Sequence, residues 1–230
     1  MMEGHLVSEQ ASRRISIDEA IVTNLLKAVR LQITDLHGWS WVELEATIRA
    51  RAAIVLKHNE APAIDDPSRL WLLLSSIILA AYQELRPLVG DAQAVLSILR
   101  NVMAAPFKER LTTYIAERFG ISQDAPEEAF ARIAENFKAR GEERFGQAYS
   151  YVQEVQDEGR SFINIQKCFF NDFFRSNGMP EVTVIFCAMN NQWAEELEKP
   201  QYGVRFARPT TLARGDDMCR FQFTRTTAKL

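Results

Sequence analysis

The period of the apolar residues changes once along this chain of 230 residues, near Gly146, and that change restricts the fold to the α+β class. Up to about residue 140 the apolar positions recur at helical spacing. Ser16-Ile17-Asp18-Glu19 has capping-box spacing ahead of Ile17, Ile21, Leu25 and Ala28, and a second helix is expected after Gly38 through Trp41, Leu44, Ile48 and Ala52. Asp66-Pro67 predicts the start of a third, since Asp caps free amides and Pro fits a first helical turn. Leu70 to Leu85 is apolar nearly all round, the mark of a central core helix. Helices are expected from Asp91 to Met103, from Pro106 to Arg118 with Gly120 as the stop, and from Asp124-Pro126 to about Arg140 before Gly141.

Beyond Gly146 the pattern shortens. Gln147 to Gln153 partly alternates, Asp157-Glu158-Gly159 is a turn signal, and Phe162 to Ile165 reads as a second strand. Cys168 to Ser176 predicts a short helix ended by Asn177-Gly178, and Pro180-Glu181 opens a longer one reaching Glu198. Val204–Leu212 and Met218–Thr226 are expected to form a hairpin across Ala213-Arg214-Gly215-Asp216-Asp217. The organisation read from these signals is a helical N-terminal part, residues 1–140, followed by an α+β part, residues 141–230, with a small antiparallel sheet and packed helices.

Charge and composition exclude several classes. With 27 basic and 30 acidic side chains the formal charge is −3, which does not suit a phosphate backbone as main partner, so no nucleic acid is expected. The longest apolar stretch, Leu70 to Tyr82, is shorter than the ~20 residues of a bilayer span, and MMEGHLVSEQ has no signal-peptide core. The expectation is a cytoplasmic protein with no membrane partner. An amphipathic helical half could serve a homodimer.

Phosphate loops, dinucleotide fingerprints, zinc-protease motifs and nucleophile elbows do not occur, and His5, His37 and His58 are scattered without ligand spacing. The chemistry-bearing residues are the three cysteines, Cys168, Cys187 and Cys219, all in the last third. They admit three readings: small core residues, a nucleophilic thiol, or a thiolate metal site, although their spacings of 19 and 32 residues are not a zinc signature.

One segment runs N-I-Q-K-C-F-F-N-D-F-F-R-S-N-G-M-P-E-V-T-V-I-F-C from Asn164, and later R-P-T-T-L-A-R-G-D-D-M-C-R-F-Q-F from Arg208. It resembles the bacterial L-2-amino-thiazoline-4-carboxylic acid hydrolase family. That family shows a Cys before an aromatic short helix, a G-x-P-E helix leading to a second Cys, and an R-x-x-T-L-A-x-G hairpin running into a third. Where the family carries Asp after the second and third Cys, this chain has Asn190 and Arg220.

The resemblance implies an enzyme that opens a cyclic C–N bond of thiazoline, amidine or lactam type, without a cofactor, by a cysteine-assisted step on a small-molecule substrate. Cys187 or Cys219 would be the nucleophile, with a nearby Arg208 or Arg220 favouring the thiolate. Asp216 or Asp217 would be acid or base, against ordinary turn chemistry. Arg208, Thr211, Asn190 and Cys168 would bind the substrate, Arg208 by forking its carboxylate. Strand alternation would place Arg208 on the face opposite Arg205. A second resemblance, to vinyl-reductase-type domains, implies a non-catalytic small-molecule-binding or sensor module in which the cysteines could hold zinc.

Overall fold

The structure is a computed structural model and describes residues 18–33, 38–59, 65–108 and 110–227. The capping signal at Ser16-Ile17 and the histidines His5 and His37 lie outside those residues. Among the described residues the fold comprises eight α-helices and a four-stranded antiparallel sheet, as the change of period predicts. The chain divides into two compact units, one of residues 1–59 with Leu73–Val102, the other of residues 60–72 with Met103–Leu230.

The first unit is helical. Helix α1 covers residues 18–32 and α2 Trp41–His58. Ser40 caps α2, with its hydroxyl accepting from the Glu43 amide while the Glu43 carboxylate accepts from the Ser40 amide. Helix α3, Asp66–Val89, begins at the predicted Asp-Pro. By length and composition it could cross a membrane, yet 56% of its apolar window is buried within the protein. The sequence predicts a break between Met103 and Pro106, but α4 runs unbroken over Ala92–Lys108. A proline in the last turn removes only one intrahelical bond there. Leu26, Val29, Leu44, Ile48, Ile78, Leu79, Leu85, Val95 and Leu99 form an aliphatic core at 1% exposure or less.

In the second unit, α5 (Leu111–Phe119) ends as predicted at Gly120, in the left-handed region. Helix α6, Ala129–Phe145, continues past the expected stop. Gly141 is buried inside it, because a Cβ there would lie 2.7 Å from a ring carbon of Tyr151. The glycine marks a close helix–strand approach, and Gly146 (φ 67°) ends the helix.

Strands β1 (Ser150–Gln156), β2 (Arg160–Lys167), β3 (Val204–Ala207) and β4 (Cys219–Arg225) are ordered β1-β2-β4-β3. β1 starts three residues later than its alternation suggests, since residues 146–148 form a 3-10 turn. Ile163 faces Phe221 and Ile165 faces Cys219 across the centre of the sheet. Helices α7 (Phe169–Ser176) and α8 (Thr183–Leu197) lie between β2 and β3 in the chain, where the sequence places them.

The hairpin forms, with Val204 opposite Arg225 and Ala207 opposite Gln222, but its first strand stops at Ala207 rather than Leu212. Pro209 brings no amide to a ladder. The polar groups beyond it close a loop instead: the Asp216 carboxylate accepts from the Thr211 amide at 2.7 Å, and the Thr210 hydroxyl donates to the Met218 carbonyl at 2.9 Å. Arg208 therefore sits in a loop, and strand alternation does not set its direction.

Candidate functional site

Aromatic side chains of the second unit interlock, with Phe137 at their centre. Its ring centroid lies 5.1–6.2 Å from those of Phe119, Tyr151, Trp193, Phe221 and Phe223. The packing leaves a cavity of about 60 Å³. Since one water needs ~10–15 Å³ by the same kind of measure, this is room for a few heavy atoms or part of a larger molecule. Its walls come from Trp71, α5, α6, β1, β2, α7, α8, the loop after β3 and β4.

All three cysteines line this cavity. Cys168 caps α7 from extended backbone and its thiol lies 3.5 Å from the Tyr149 hydroxyl. Cys187 is on α8, and Cys219 opens β4, where its sulfur accepts from the Leu212 amide at 3.3 Å. Burial pushes the Cys168 thiol up to about 12 and that of Cys187 up to about 11, and it raises Cys219 as well. Arg208 opposes the effect at Cys187 without overcoming it. The expected stabilisation of a thiolate by Arg208 is real in sign, and desolvation outweighs it. At neutral pH the thiols are protonated, as are Tyr149 and Tyr151, whose phenols burial likewise raises.

Arg208 lines the cavity beside Cys187. It donates to the Cys187 carbonyl at 3.4 Å and to Asn191 Oδ1 at 2.9 Å, and its guanidinium lies 5.7 Å from the centre of the Phe221 ring. Asn190 is also in the wall, accepting from Trp193 Nε1 at 3.1 Å. Thr211, Asp216 and Asp217 are not among the lining residues. Asp216 holds the Thr211 amide, and Asp217 pairs with Arg220 at 3.2 Å, so each shapes the loop that carries Arg208.

Two further cations line the cavity that the sequence reading passed over. Arg118, on the last turn of α5, is 6% exposed, lies 4.8 Å over the Phe137 ring and donates to the Phe137 carbonyl at 3.2 Å. Arg144, on the last turn of α6, lies 5.1 Å over Tyr114, and its buried Nε has no hydrogen-bond partner. A signal for both existed: Arg118 shares a helical face with Ile115 and Phe119, and Arg144 shares one with Phe137 and Gly141. A charge on an apolar stripe is the unusual observation.

No Asp, Glu or His lines the cavity, and among the described residues none ion-pairs with Arg118, Arg144 or Arg208. Nor does any group of three or more His, Cys, Asp or Glu among those residues converge to hold a metal ion. The three cysteines line one cavity without forming a ligand cluster, so the residues present do not fit the zinc of the sensor alternative. Chemically, the site offers cations for an anion, aromatic faces for a planar group, and protonated sulfur and oxygen as proton donors.

The model of the family described as L-2-amino-thiazoline-4-carboxylic acid hydrolase matches residues 73–223. No curated protein matches the chain. Among solved structures, the Fe(II) unliganded H-NOX protein from K. algicida is similar at 10% identity, covering 90% of this chain and 95% of that one, with a TM-score of 0.38. The SO2144 H-NOX domain from Shewanella oneidensis, solved by NMR in the Fe(II)CO ligation state, is similar at 11% identity over 80% of this chain and 94% of that one, with a TM-score of 0.35.

Proposed function

Because the chain belongs to the L-2-amino-thiazoline-4-carboxylic acid hydrolase family, we propose that its second unit takes a small carboxylate-bearing heterocycle into the aromatic cavity and hydrolyses a ring carbon–nitrogen bond. The observation that carries the reading is the cavity itself, where thiols and guanidinium groups line one wall set without a carboxylate. A buried cation without an acid is costly unless a ligand supplies the negative charge. Arg208 is the anchor, because its planar fork matches a carboxylate and the cavity places it beside Cys187.

Cys187 is the nucleophile of this reading, as the thiol that Arg208 favours most directly. Its sulfur adds to the carbon of the ring C=N bond, and the thiol proton goes to the ring nitrogen. The resulting carbon–nitrogen single bond breaks, the nitrogen leaving as an amine with a proton given up by the exocyclic amino group. Water then adds to the same carbon, and the cysteine departs as a thiol, so one water is consumed for each ring opened. The protonated phenols of Tyr149 and Tyr151 and the thiols of Cys168 and Cys219 are the groups that can relay these protons. Asn190 orients Trp193 in the wall. The cytoplasm, where thiols stay reduced, suits this chemistry.

A second reading is favoured by one observation. The thiols are held protonated and no histidine or carboxylate lines the cavity to activate them. A module that binds the same class of ligand without turnover fits that arrangement, as the sensor alternative does. Incubation with L-2-amino-thiazoline-4-carboxylic acid, followed by mass detection of a carbamoyl-cysteine product, separates the two. Turnover that Cys187→Ser abolishes while ligand binding persists supports the hydrolase. Saturable binding with no product in the wild type supports the binding module.

A further inference from the structure

The cations of the cavity fall into two groups. Arg208 comes from the loop after β3 and belongs with Cys187 and Phe221. Arg118 and Arg144 come from the ends of α5 and α6 and share Tyr114, which hydrogen-bonds Arg118 and lies under the Arg144 guanidinium. Of the acids next to them in the chain, Glu117 pairs with Arg110, Glu142 pairs with Lys138, and Glu143 is exposed to water rather than set in the cavity wall.

Arg118 is partly accounted for by the aromatic faces and the Phe137 carbonyl it meets. Arg144 likewise lies over the Tyr114 and Trp71 rings, but its Nε is buried without an acceptor. Two guanidinium groups that line one cavity, with no acid among its walls, raise the energy of the empty site. An anion between them relieves it.

Resting on the carboxylate-binding reading above, we propose that the cavity also accepts a second anionic group, between Arg118 and Arg144, so that a small planar dianion binds there more tightly than a monocarboxylate of the same shape. Its first carboxylate lies on Arg208 and its planar middle lies along the Phe137 and Phe221 faces, whose rings are 5.5 Å apart. The net charge of −3 gives the chain no general preference for dianions, so any preference is local to the cavity.

Calorimetric titration of the full chain with crotonate, fumarate and maleate at one ionic strength tests this. Crotonate and fumarate share a trans four-carbon skeleton and differ only in whether its far end is a methyl or a carboxylate, and maleate places the second carboxylate cis. Fumarate or maleate is expected to bind about tenfold tighter than crotonate, as a charge-assisted pair at the far end would give. Arg144→Gln is expected to bring that ratio close to one. Should that variant not fold, Arg144→Lys keeps the charge without the fork, and a ratio below the wild type's is expected. Crotonate binding as tightly as both diacids would overturn the dianion and leave the carboxylate reading standing. Binding by none of the three would remove the carboxylate reading and this inference together. A wild-type ratio retained in the folded Arg144 variant would overturn the assignment to this pair.

Discussion

The two units bury different things. Among the described residues the first unit buries no charged side chain and no thiol. Its core is aliphatic, with Ile77 to Tyr82 of α3 fully enclosed and Ser75 and Ser76 buried beside them. The second unit buries Arg118, Asn164, Asn171 and two of its three cysteines among stacked rings, and its packing stays open at one cavity. Apolar burial alone is satisfied by closing the core. A core that keeps cations and thiols at a cavity gives up some of that closure, and this contrast is the ground on which the second unit is proposed to hold the site.

Substitutions in the two cores are the strongest way to break that contrast. Phe137→Ala removes the ring on which five aromatic neighbours converge, and a loss of about 3–5 kcal/mol is expected in urea unfolding. Carboxylate binding should fail with it, because Phe137 is also part of the cavity wall. Ile78→Ala, at 0% exposure in the first unit, should cost about 2–5 kcal/mol and leave carboxylate affinity unchanged in the fraction still folded. Loss of binding by folded Ile78→Ala would erase the distinction between the units.

The buried thiols sharpen the contrast through pH. Folding raises Cys168 from an ordinary thiol value near 9 to about 12, and Cys187 to about 11. Below pH 9 both folded and unfolded chains hold these protons, and the stabilisation is fully present. Above it the unfolded chain releases protons that the folded chain keeps, so stability falls as pH rises toward the folded values. Unfolding free energies from urea titrations between pH 8 and pH 10 should decline, by on the order of 1–2 kcal/mol for each thiol. Cys168→Ala should flatten the decline. Equal slopes in the variant and the wild type would mean that the thiol is not held as the cavity places it.

Much of this was readable beforehand, and the remainder has physical causes. The change of period near Gly146, the Asp66-Pro67 start of α3 and the gathering of cysteines in the last third are local signals, and all correspond to elements or walls in the structure. Gly141 misled because a glycine that stops a helix and one that admits a ring look the same in sequence. The difference is Tyr151, ten residues on and on another element. The cap at Ser40 was there to be read as S-x-x-E, whereas the pairing of Arg118 with Arg144 needed α5 and α6 to be set side by side. Asp216 and Asp217 stood out because acids beside a motif look catalytic, while their carboxylates close a loop.

At the carboxylate itself, Arg208→Lys keeps the charge and loses the fork. Affinity for a carboxylate ligand should weaken by about 1–3 kcal/mol, the range for hydrogen bonds to charged groups. Calorimetry on the folded variant reads it directly. An unchanged dissociation constant would place the anchor on Arg118 and Arg144 instead, and would move the functional pole from the loop to the helix ends.

The smallest effect belongs to Asp217, and it separates loop chemistry from site chemistry. Its carboxylate is more than half exposed and meets Arg220 three residues away, while Arg220 also donates to the Thr210 hydroxyl at 3.0 Å. An exposed pair of this kind is worth ~0–1 kcal/mol, because water screens the charges and two long side chains must be held in one geometry. Asp217→Asn keeps the shape and removes the charge, so urea stability should fall by less than ~1 kcal/mol. Turnover and carboxylate affinity should not change, since neither Asp217 nor Arg220 lines the cavity. Asp216 differs by its 2.7 Å acceptance from the buried Thr211 amide, so Asp216→Asn should cost more stability than Asp217→Asn. If Asp217→Asn instead lost turnover with its stability intact, the acid of the reaction would lie in this loop, and the cavity walls would not be the whole of the site.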